Sequence, residues 1–377
     1  METTFTVVGA GAVGLAAAAE LAPHGSVLIL EREGGIGQGV SSRNSQVVHA
    51  GIYYPLDSLR ARLCVEGRLL IERWAAKGCF EYQRVGKLLV AKDAEEGRAL
   101  ESLRERALQN GVDDLTPLEG PEVTALEPDV RAHSGMLSPS TGILDGHGLL
   151  RHLLRRAEEH GAELALDCEV IAIEHTRGAY QVTIRQNGVE QRLRTRSVIN
   201  AAGLHADTIV ERTGLDPDAA GLRLHWIRGE YFDLQPSCPI RIQRLVYPVP
   251  RAAGHLGIHV TVDLRGRLRL GPSADPPERR ASGARNESYA QDDRHREEFV
   301  RAVRTYLPAL QAADLTPGGA ALRPRLLHAD LTQQEFYLRE ESDRGLPGLV
   351  NCIGIDSPGL TAAPAIGRHV ARLLGLG

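Results

Sequence analysis

Cysteine is scarce in this sequence and is never arranged in pairs. The five cysteines, Cys64, Cys79, Cys168, Cys238 and Cys352, are scattered along the chain, and no two of them form a Cys-x-x-Cys motif. An odd, scattered set argues against a disulfide framework and against a zinc site, and it favours a reducing compartment. We therefore predict a cytoplasmic protein with no bound metal.

Excess positive charge and long apolar runs are also missing. The formal net charge is -4, so the chain lacks the excess of positive charge that is typical of a nucleic-acid-binding protein. No apolar run approaches the roughly 20 residues that a membrane-spanning helix needs. The sequence therefore predicts neither a nucleic-acid partner nor a transmembrane segment, and it leaves peripheral contact with a membrane open.

The order of strand and helix patterns predicts two interleaved domains. At 377 residues the chain is well above the size of one average domain. Strands alternate with helices at both ends, whereas short alternating strands fill the region from about 222 to 270. We predict an α/β fold, α+β overall. Residues 1–78, 143–215 and 326–377 form a Rossmann-like dinucleotide-binding domain, and residues 79–142 and 216–325 form an inserted, mostly antiparallel substrate domain.

A glycine-rich turn near the start carries the strongest local signal. "FTVVGAGAVGLAAAAELA" is typical of a buried strand, a turn and an Ala-rich helix, and "SVLILERE" is typical of a second strand. Gly9, Gly11 and Gly14 have the G-x-G-x-x-G spacing, and Glu31 follows at the end of the second strand. This context predicts a dinucleotide with its pyrophosphate at the helix N-terminus and its ribose on Glu31. A glycine turn without a ligand is the alternative.

Two later segments bear on which dinucleotide is bound. "SVINAAGLHAD" is an apolar strand that ends in small residues. Small residues are needed where a second stretch of backbone closes over the bound nucleotide. "GIDSPGLTAAPAIG" predicts a helix N-terminus that could face the pyrimidine edge of a flavin. Reduction places negative charge on that edge, and a helix N-terminus stabilises negative charge. An ordinary helix start without a ligand is the alternative here.

Together these segments resemble the D-amino-acid oxidase and glycine oxidase superfamily of FAD proteins. Within it, "SSRNSQVVHAGIYY", "LRARLCVEGR", "RVGKLLVA", "RGEYFDL", "VYPVP" and "LGIHVT" are similar to the L-2-hydroxyglutarate dehydrogenase/oxidase branch. The resemblance implies FAD, a discontinuous FAD-binding domain, and oxidation of a 2-hydroxy acid such as L-2-hydroxyglutarate to its 2-oxo acid. The predicted FAD contacts are Gly9, Gly11, Ala12, Val13, Gly14, Glu31, Arg32, Ser41, Ser42, Arg43, Asn44, Val170, Ala201, Ala202, Gly203, Ser357, Pro358, Gly359, Leu360 and Thr361.

The loop "SSRNSQVVHAGIYY" crowds polar side chains shortly after the glycine turn. With FAD on that turn, the loop passes the pyrophosphate and runs beneath the flavin ring, so His49 can reach the reacting face. Hydride transfer to flavin N5 requires removal of the hydroxyl proton, and histidine is a natural base for this step. We predict His49 as the catalytic base and His259, in "GIHVTVD", as a second catalytic candidate. A structural histidine is the alternative at each position.

A substrate carboxylate needs a cation to bind it. "ALRPRLL" places Arg323 and Arg325 two residues apart, on one face of an extended strand. By resemblance to glycine oxidases, Arg323 holds the substrate carboxylate; both arginines could instead form surface ion pairs. Tyr54, Tyr231 and Tyr247 are predicted to close the substrate pocket with hydroxyl donors, although each alone is more often a core residue.

Three other functions stay open on the sequence alone. Oxidation of an amine, as in glycine oxidase, needs no protein base when the amine arrives neutral. A non-catalytic flavin-binding redox protein would show no bleaching of its flavin by substrate, and an NAD-dependent dehydrogenase would be colourless. The sequence also leaves oxygen, a quinone and an electron-transfer protein open as electron acceptors.

Overall fold

The computed structural model describes residues 2–250, 257–279, 289–291 and 293–376. That part of the chain forms twenty strands and eight α-helices. In chain order, the strands are β1 (Glu2–Val8), β2 (Val27–Leu30), β3 (Val47–Val48), β4 (Tyr82–Gln83), β5 (Lys87–Ala91), β6 (Thr116–Glu119), β7 (Ser134–Ser138), β8 (Gly142–Leu144), β9 (Glu163–Ala165), β10 (Cys168–Thr176), β11 (Ala179–Gln186), β12 (Val189–Asn200), β13 (His225–Leu234), β14 (Leu245–Pro248), β15 (Val260–Val262), β16 (Leu268–Leu270), β17 (Glu278–Arg279), β18 (Leu315–Arg325), β19 (Tyr337–Glu341) and β20 (Leu346–Ile353). The helices are α1 (Ala12–Leu21), α2 (Leu59–Ala75), α3 (Ala94–Gln109), α4 (Gly120–Leu126), α5 (Gly146–Glu158), α6 (Ala206–Arg212), α7 (Arg296–Val303) and α8 (Gly359–Leu373).

The first sheet is built around parallel strands that come from distant parts of the chain. Its order is β10-β11-β12-β1-β2-β9, and β20 pairs with both β12 and β19. β1 is parallel to β12 and β2, and β20 is parallel to β12. The carboxyl ends of these four strands, Val8, Leu30, Asn200 and Ile353, therefore lie at one edge of the sheet. Ligands of open α/β sheets bind outside this edge.

Helices cover the first sheet, which explains why β2 is apolar and buried along its whole length and why the last four residues of β1 are buried. α1, α5 and α8 share a core with one face of the sheet, and α6 contributes to the core on the other face. α1 and α8 touch closely, because a Cβ on Gly367 would lie 2.4 Å from the carbonyl oxygen of Ala16. Glycine at 367 permits this approach of the two backbones.

The second sheet is mostly antiparallel, as predicted for the inserted part. Its order is β17-β13-β16-β15-β14-β5-β7-β6, and β18 pairs with β13. β14 and β5 are parallel, whereas the other described pairs in this sheet are antiparallel. Phe232 of β13 and Phe299 of α7 pack in its core with ring centroids 4.9 Å apart. A third, small sheet has the order β3-β8-β4.

The predicted α/β fold class is confirmed. Strands of the first sheet come from the ranges 1–78, 143–215 and 326–377, and strands of the second come from 79–142 and 216–325. This membership supports the division into two domains, which we keep as a proposal. Within the described ranges, no helix has both the length and the apolar character required to cross a membrane.

Candidate active site

A cavity of about 1100 Å³ lies at the carboxyl-end edge of the first sheet and reaches the second sheet. Its lining contains every predicted site residue except Gly14 and Ser42. One cavity therefore brings the predicted cofactor contacts and the predicted substrate contacts together.

The glycine turn leaves space because side chains are absent from it. Gly9 has φ +104°, and a Cβ there would lie 2.6 Å from the carbonyl oxygen of Ala201. A Cβ on Gly14 would lie 1.9 Å from the carbonyl oxygen of Gly9, so Gly14 serves the packing of α1 rather than ligand contact. α1 has no acidic residue in its first turn and no side-chain cap. Its N-terminus therefore favours an anion such as a pyrophosphate.

Glu31 stands at the cavity wall directly after β2. Its Oε2 accepts the N–H of Ala10 at 2.7 Å, and its Oε1 accepts the N–H of Glu33 at 2.9 Å. These bonds fix the carboxylate, and each oxygen retains acceptor capacity for a ribose hydroxyl. Arg32 is ion-paired with Glu33, with 2.8 Å between Nη2 and Oε1.

The two serines of the following loop have different surroundings. Ser41 lines the cavity, and its Oγ accepts the N–H of Ala12 at 3.0 Å. Ser42 lies outside the lining, and its Oγ donates to the carbonyl oxygen of Gly39 at 3.2 Å. Ser41 is therefore placed for cofactor contact, whereas Ser42 supports the loop.

Arg43 and Asn44 also make contacts with nearby residues of the protein. The guanidinium of Arg43 lies over the ring of Tyr289, with 4.0 Å between Cζ and the ring centroid. Asn44 Nδ2 donates to the carbonyl oxygen of Ser41 at 2.8 Å, and its Oδ1 accepts the N–H of Gln46 at 2.8 Å. Both residues line the cavity, so their contact with a cofactor stays a prediction.

Small residues form the wall beside the glycine turn. Ala201, Ala202 and Gly203 follow β12 and line the cavity. Behind them, Asn200 Nδ2 donates to Asn351 Oδ1 at 2.8 Å, and both side chains are fully buried. A satisfied buried pair of this kind holds the ends of β12 and β20 in register.

The start of α8 also lines the cavity. The helix begins at Gly359 after a cis peptide bond between Ser357 and Pro358, and its first turn contains no acidic residue. The Oγ of Thr361 accepts the N–H of His49 at 3.1 Å and donates to the carbonyl oxygen of Val47 at 3.2 Å. These bonds tie the loop that carries His49 to the helix start.

The residues present fit FAD. Two helix N-termini without acidic side chains in their first turns contribute to a single cavity. FAD carries an anionic pyrophosphate and a flavin ring that becomes negative when reduced, so both parts match a helix N-terminus. Glycine, serine and alanine between them leave room for the cofactor.

Gly11→Ala is expected to weaken FAD binding while the protein stays folded. The φ of Gly11 is -80°, which suits any residue, but a Cβ would enter the turn 3.1 Å from Ser41 Oγ. Overpacking costs about 1–3 kcal/mol, which is roughly five- to more than a hundredfold in Kd. Titration of the apoprotein with FAD measures this. Gly34→Ala, on an exposed glycine outside the lining, is the matched control; an unchanged Kd in Gly11→Ala would contradict the assignment.

His49 has the environment of a proton acceptor. Its side chain is buried, its Nε2 lies 3.3 Å from Ser357 Oγ, and its Nδ1 has no hydrogen-bond partner among the described residues. Burial lowers the pKa of His49 well below 6.5, and the charges of Lys87 and His259 lower it further. A neutral imidazole at a cavity wall can accept a proton.

His259 and Tyr247 form a stacked pair at the same cavity. Their rings lie 3.7 Å apart at 17°. His259 Nδ1 lies 3.0 Å from the carbonyl oxygen of Gly257, so in the neutral ring Nδ1 donates and Nε2 is an acceptor. Tyr54 and Tyr231 also line the cavity, as predicted from the sequence. The sequence prediction missed Tyr53, whose buried hydroxyl has no hydrogen-bond partner among the described residues.

Arg323 is a partly buried cation without a carboxylate partner in the described part of the chain. Its Nη2 donates to the carbonyl oxygen of Ser273 at 2.9 Å, and its Nε is unsatisfied. Burial lowers the pKa of Arg323, and repulsion from Arg325 adds to the effect. A partly buried guanidinium with an unsatisfied donor is stabilised by an anion that accepts two parallel hydrogen bonds.

Arg325 lines the same cavity but is bound to a carboxylate of the protein. Its Nε donates to Asp356 Oδ2 at 2.6 Å. Asp356 Oδ1 accepts from Gln333 Nε2 at 2.8 Å and lies 3.4 Å from Arg60 Nη2. Sequence reasoning missed Asp356 and Arg60, because nothing local marks them except the position of Asp356 directly before Ser357.

Comparison with known proteins shows the family of this chain. The family model described as "FAD dependent oxidoreductase" (DAO) matches residues 4–373. The chain is 36% identical to the mitochondrial L-2-hydroxyglutarate dehydrogenase of Arabidopsis thaliana, over 97% of this chain and 82% of that protein.

Solved structures of other proteins have a similar fold over nearly the whole chain. An L-alpha-glycerophosphate oxidase from Mycoplasma pneumoniae with FAD bound superposes with a TM-score of 0.86 at 25% identity, covering 100% of this chain and 96% of that chain. A glycine oxidase from Geobacillus kaustophilus has a TM-score of 0.80 at 20% identity, covering 99% of this chain and 95% of that one. The predicted resemblance and the predicted cofactor are confirmed. The chain belongs to the DAO family of FAD-dependent oxidoreductases.

Proposed function

We propose that this enzyme oxidises L-2-hydroxyglutarate, or a closely similar 2-hydroxy acid, to the 2-oxo acid. Curated relatives from Arabidopsis thaliana and Escherichia coli bear the name L-2-hydroxyglutarate dehydrogenase. The observation that carries the proposal is the presence of two complementary groups in one cavity. These are Arg323, a partly buried guanidinium without an ion pair in the described chain, and His49, a neutral imidazole.

Only one of the two arginines of β18 lacks a carboxylate partner in the described chain. Arg323 binds a substrate carboxylate with two parallel hydrogen bonds, whereas Arg325 is paired with Asp356. A 2-hydroxy acid with a second carboxylate is therefore inferred from the names of the curated relatives.

The proton of the substrate hydroxyl passes to His49 in this proposal. FAD, when bound, supplies the hydride acceptor for the substrate carbon. His49 is already neutral, and its loop is tied to α8 through Thr361. His259, Tyr231 and Tyr247 surround the remaining cavity and orient the substrate. Position and burial at the cavity support each of these roles.

Anaerobic addition of L-2-hydroxyglutarate to the yellow protein tests the function. We expect the visible flavin absorbance to bleach and one equivalent of 2-oxoglutarate to form per flavin. Bleaching by glycine or another amino acid instead would identify an amine oxidase. No bleaching by hydroxy acids or amines would indicate a non-catalytic flavoprotein. Reoxidation by air, by a quinone or by an electron-transfer protein then identifies the acceptor.

A further inference from the structure

Lys87 is a buried cation that has no role in the reaction as proposed above. It is one of only three lysines in the chain, with Lys77 and Lys92. It begins β5, which lies between β14 and β7, and its side chain has no solvent exposure. Its Nζ has no hydrogen-bond partner among the described residues. An ammonium group in such a position is rare, because burial of an unpaired charge is unfavourable.

Two tyrosine rings separate Lys87 from the cavity. Its Nζ lies 4.3 Å from the ring centroid of Tyr247 and 5.0 Å from that of Tyr53. Both tyrosines line the cavity, whereas Lys87 does not. The faces of aromatic rings attract a cation. The amine is therefore held directly behind the wall on which His259 is stacked.

Within the described ranges, the titratable groups that the structure places around Lys87 supply no negative charge at neutral pH. Tyr53, Tyr247 and Cys64 have raised pKa values because they are buried, and His49 is neutral. Burial lowers the pKa of Lys87 to about 7. The ammonium charge is thus present below pH 7, where an ordinary histidine takes up its proton. Tyr53, whose ring Lys87 faces, follows His49 by four residues, and both line the cavity. A charged Lys87 therefore opposes a second positive charge on His49.

We propose that Lys87 is a positioning residue for the reaction, one that acts through the tyrosine wall to keep His49 unprotonated and ready to accept the substrate proton. The inference rests on the proposed role of His49 as base. His259 is the other group that disfavours a proton on His49.

The protonation of His49 can be measured without turnover. The holoenzyme is labelled with ¹⁵N-histidine, and the His49 signal is assigned by its loss in His49→Gln. Removal of the charge in Lys87→Met is expected to raise the pKa of His49 by on the order of one unit. Lys87→Gln serves as a second neutral variant if the Met variant does not fold. A titration of His49 that is unchanged in the neutral variants overturns the proposal.

Kinetics then separate this inference from the proposed function. The acid limb of kcat/KM for L-2-hydroxyglutarate is expected to move upward in Lys87→Met by the same amount as the pKa of His49. A shifted pKa with an unmoved acid limb would mean that Lys87 controls His49 but that His49 is not the base. Failure of L-2-hydroxyglutarate to bleach the wild-type flavin would reject the substrate and leave the NMR result standing.

Two controls identify the charge as the cause. Lys92→Met makes the same substitution just beyond β5, where the lysine is half-exposed and ion-paired with Glu96; it should leave the His49 titration unchanged. Lys87→Arg retains the charge and should keep the His49 pKa low. A merely structural Lys87 would lower the melting temperature when replaced by Met. We expect the opposite, since an apolar side chain of similar length suits the site better.

Discussion

Replacing Arg323 with methionine is expected to lower kcat/KM for L-2-hydroxyglutarate by roughly thirtyfold to several thousandfold. Methionine fills similar space but cannot bind a carboxylate, and loss of one partner of a buried charge pair costs about 2–5 kcal/mol. The substitution should not destabilise the folded protein, because Arg323 has no ion pair in the described chain to lose. Its melting temperature should therefore stay level or rise. Steady-state kinetics and a thermal melt check the two parts.

Arg269→Met is the matched control for this prediction. Arg269 lies near Tyr231, with 5.5 Å between its Cζ and the ring centroid, but it pairs with Asp233 and lies outside the cavity lining. It should retain kcat/KM. Arg323→Lys should recover part of the activity, because a lysine keeps the charge but not the planar pair of donors. If Arg323→Met retained full activity, another residue would have to bind the substrate carboxylate.

His49→Gln is expected to reduce kcat by roughly a hundred- to ten-thousandfold, the usual range for removal of a general base. Glutamine can keep a hydrogen bond to Ser357 but cannot take up a proton. His259→Gln should be milder, because that ring is assigned an orienting role in the stacked pair. Single-turnover reduction of the flavin measures both variants. A larger loss in His259→Gln than in His49→Gln would reverse the assignment of the base.

The pH dependence follows from the direction of the His49 shift. Because the folded pKa lies below 6.5, His49 stays neutral as the pH falls through 6.5, and kcat/KM should decline only at lower pH. The unfolded chain binds a proton near 6.5 that the folded chain excludes, so acidification below 6.5 lowers the free energy of unfolding. The His49→Gln variant should lose the acid limb and part of this acid sensitivity.

The cofactor end of the site could be predicted because its signals are local. A strand, a turn with Gly9 and Gly11, and a helix occupy consecutive positions, and Glu31 follows one strand later. Alternation along β18 also places Arg323 and Arg325 at the same cavity. What alternation could not reveal is that Arg325 is already bound by Asp356, a residue 31 positions away.

Lys87 shows why other parts could not be predicted. In "RVGKLLVA" it is the first residue of an apolar strand, a position where a lysine usually reaches solvent. Its burial depends on pairing with Leu245 of β14 and Ser138 of β7. These partners are remote in sequence, and the parallel pairing of β5 with β14 leaves no local pattern. The electrostatics around His49 therefore emerge only from the folded chain.

The contact between Gly367 and Ala16 has a consequence for the choice of flavin. It holds α1 and α8 at a fixed spacing, and the N-termini of both helices line the cofactor cavity. FAD has both a pyrophosphate and a flavin ring for these helix starts, whereas FMN lacks the adenosine half of the cofactor. A backbone contact outside the cavity therefore favours FAD over the shorter flavin.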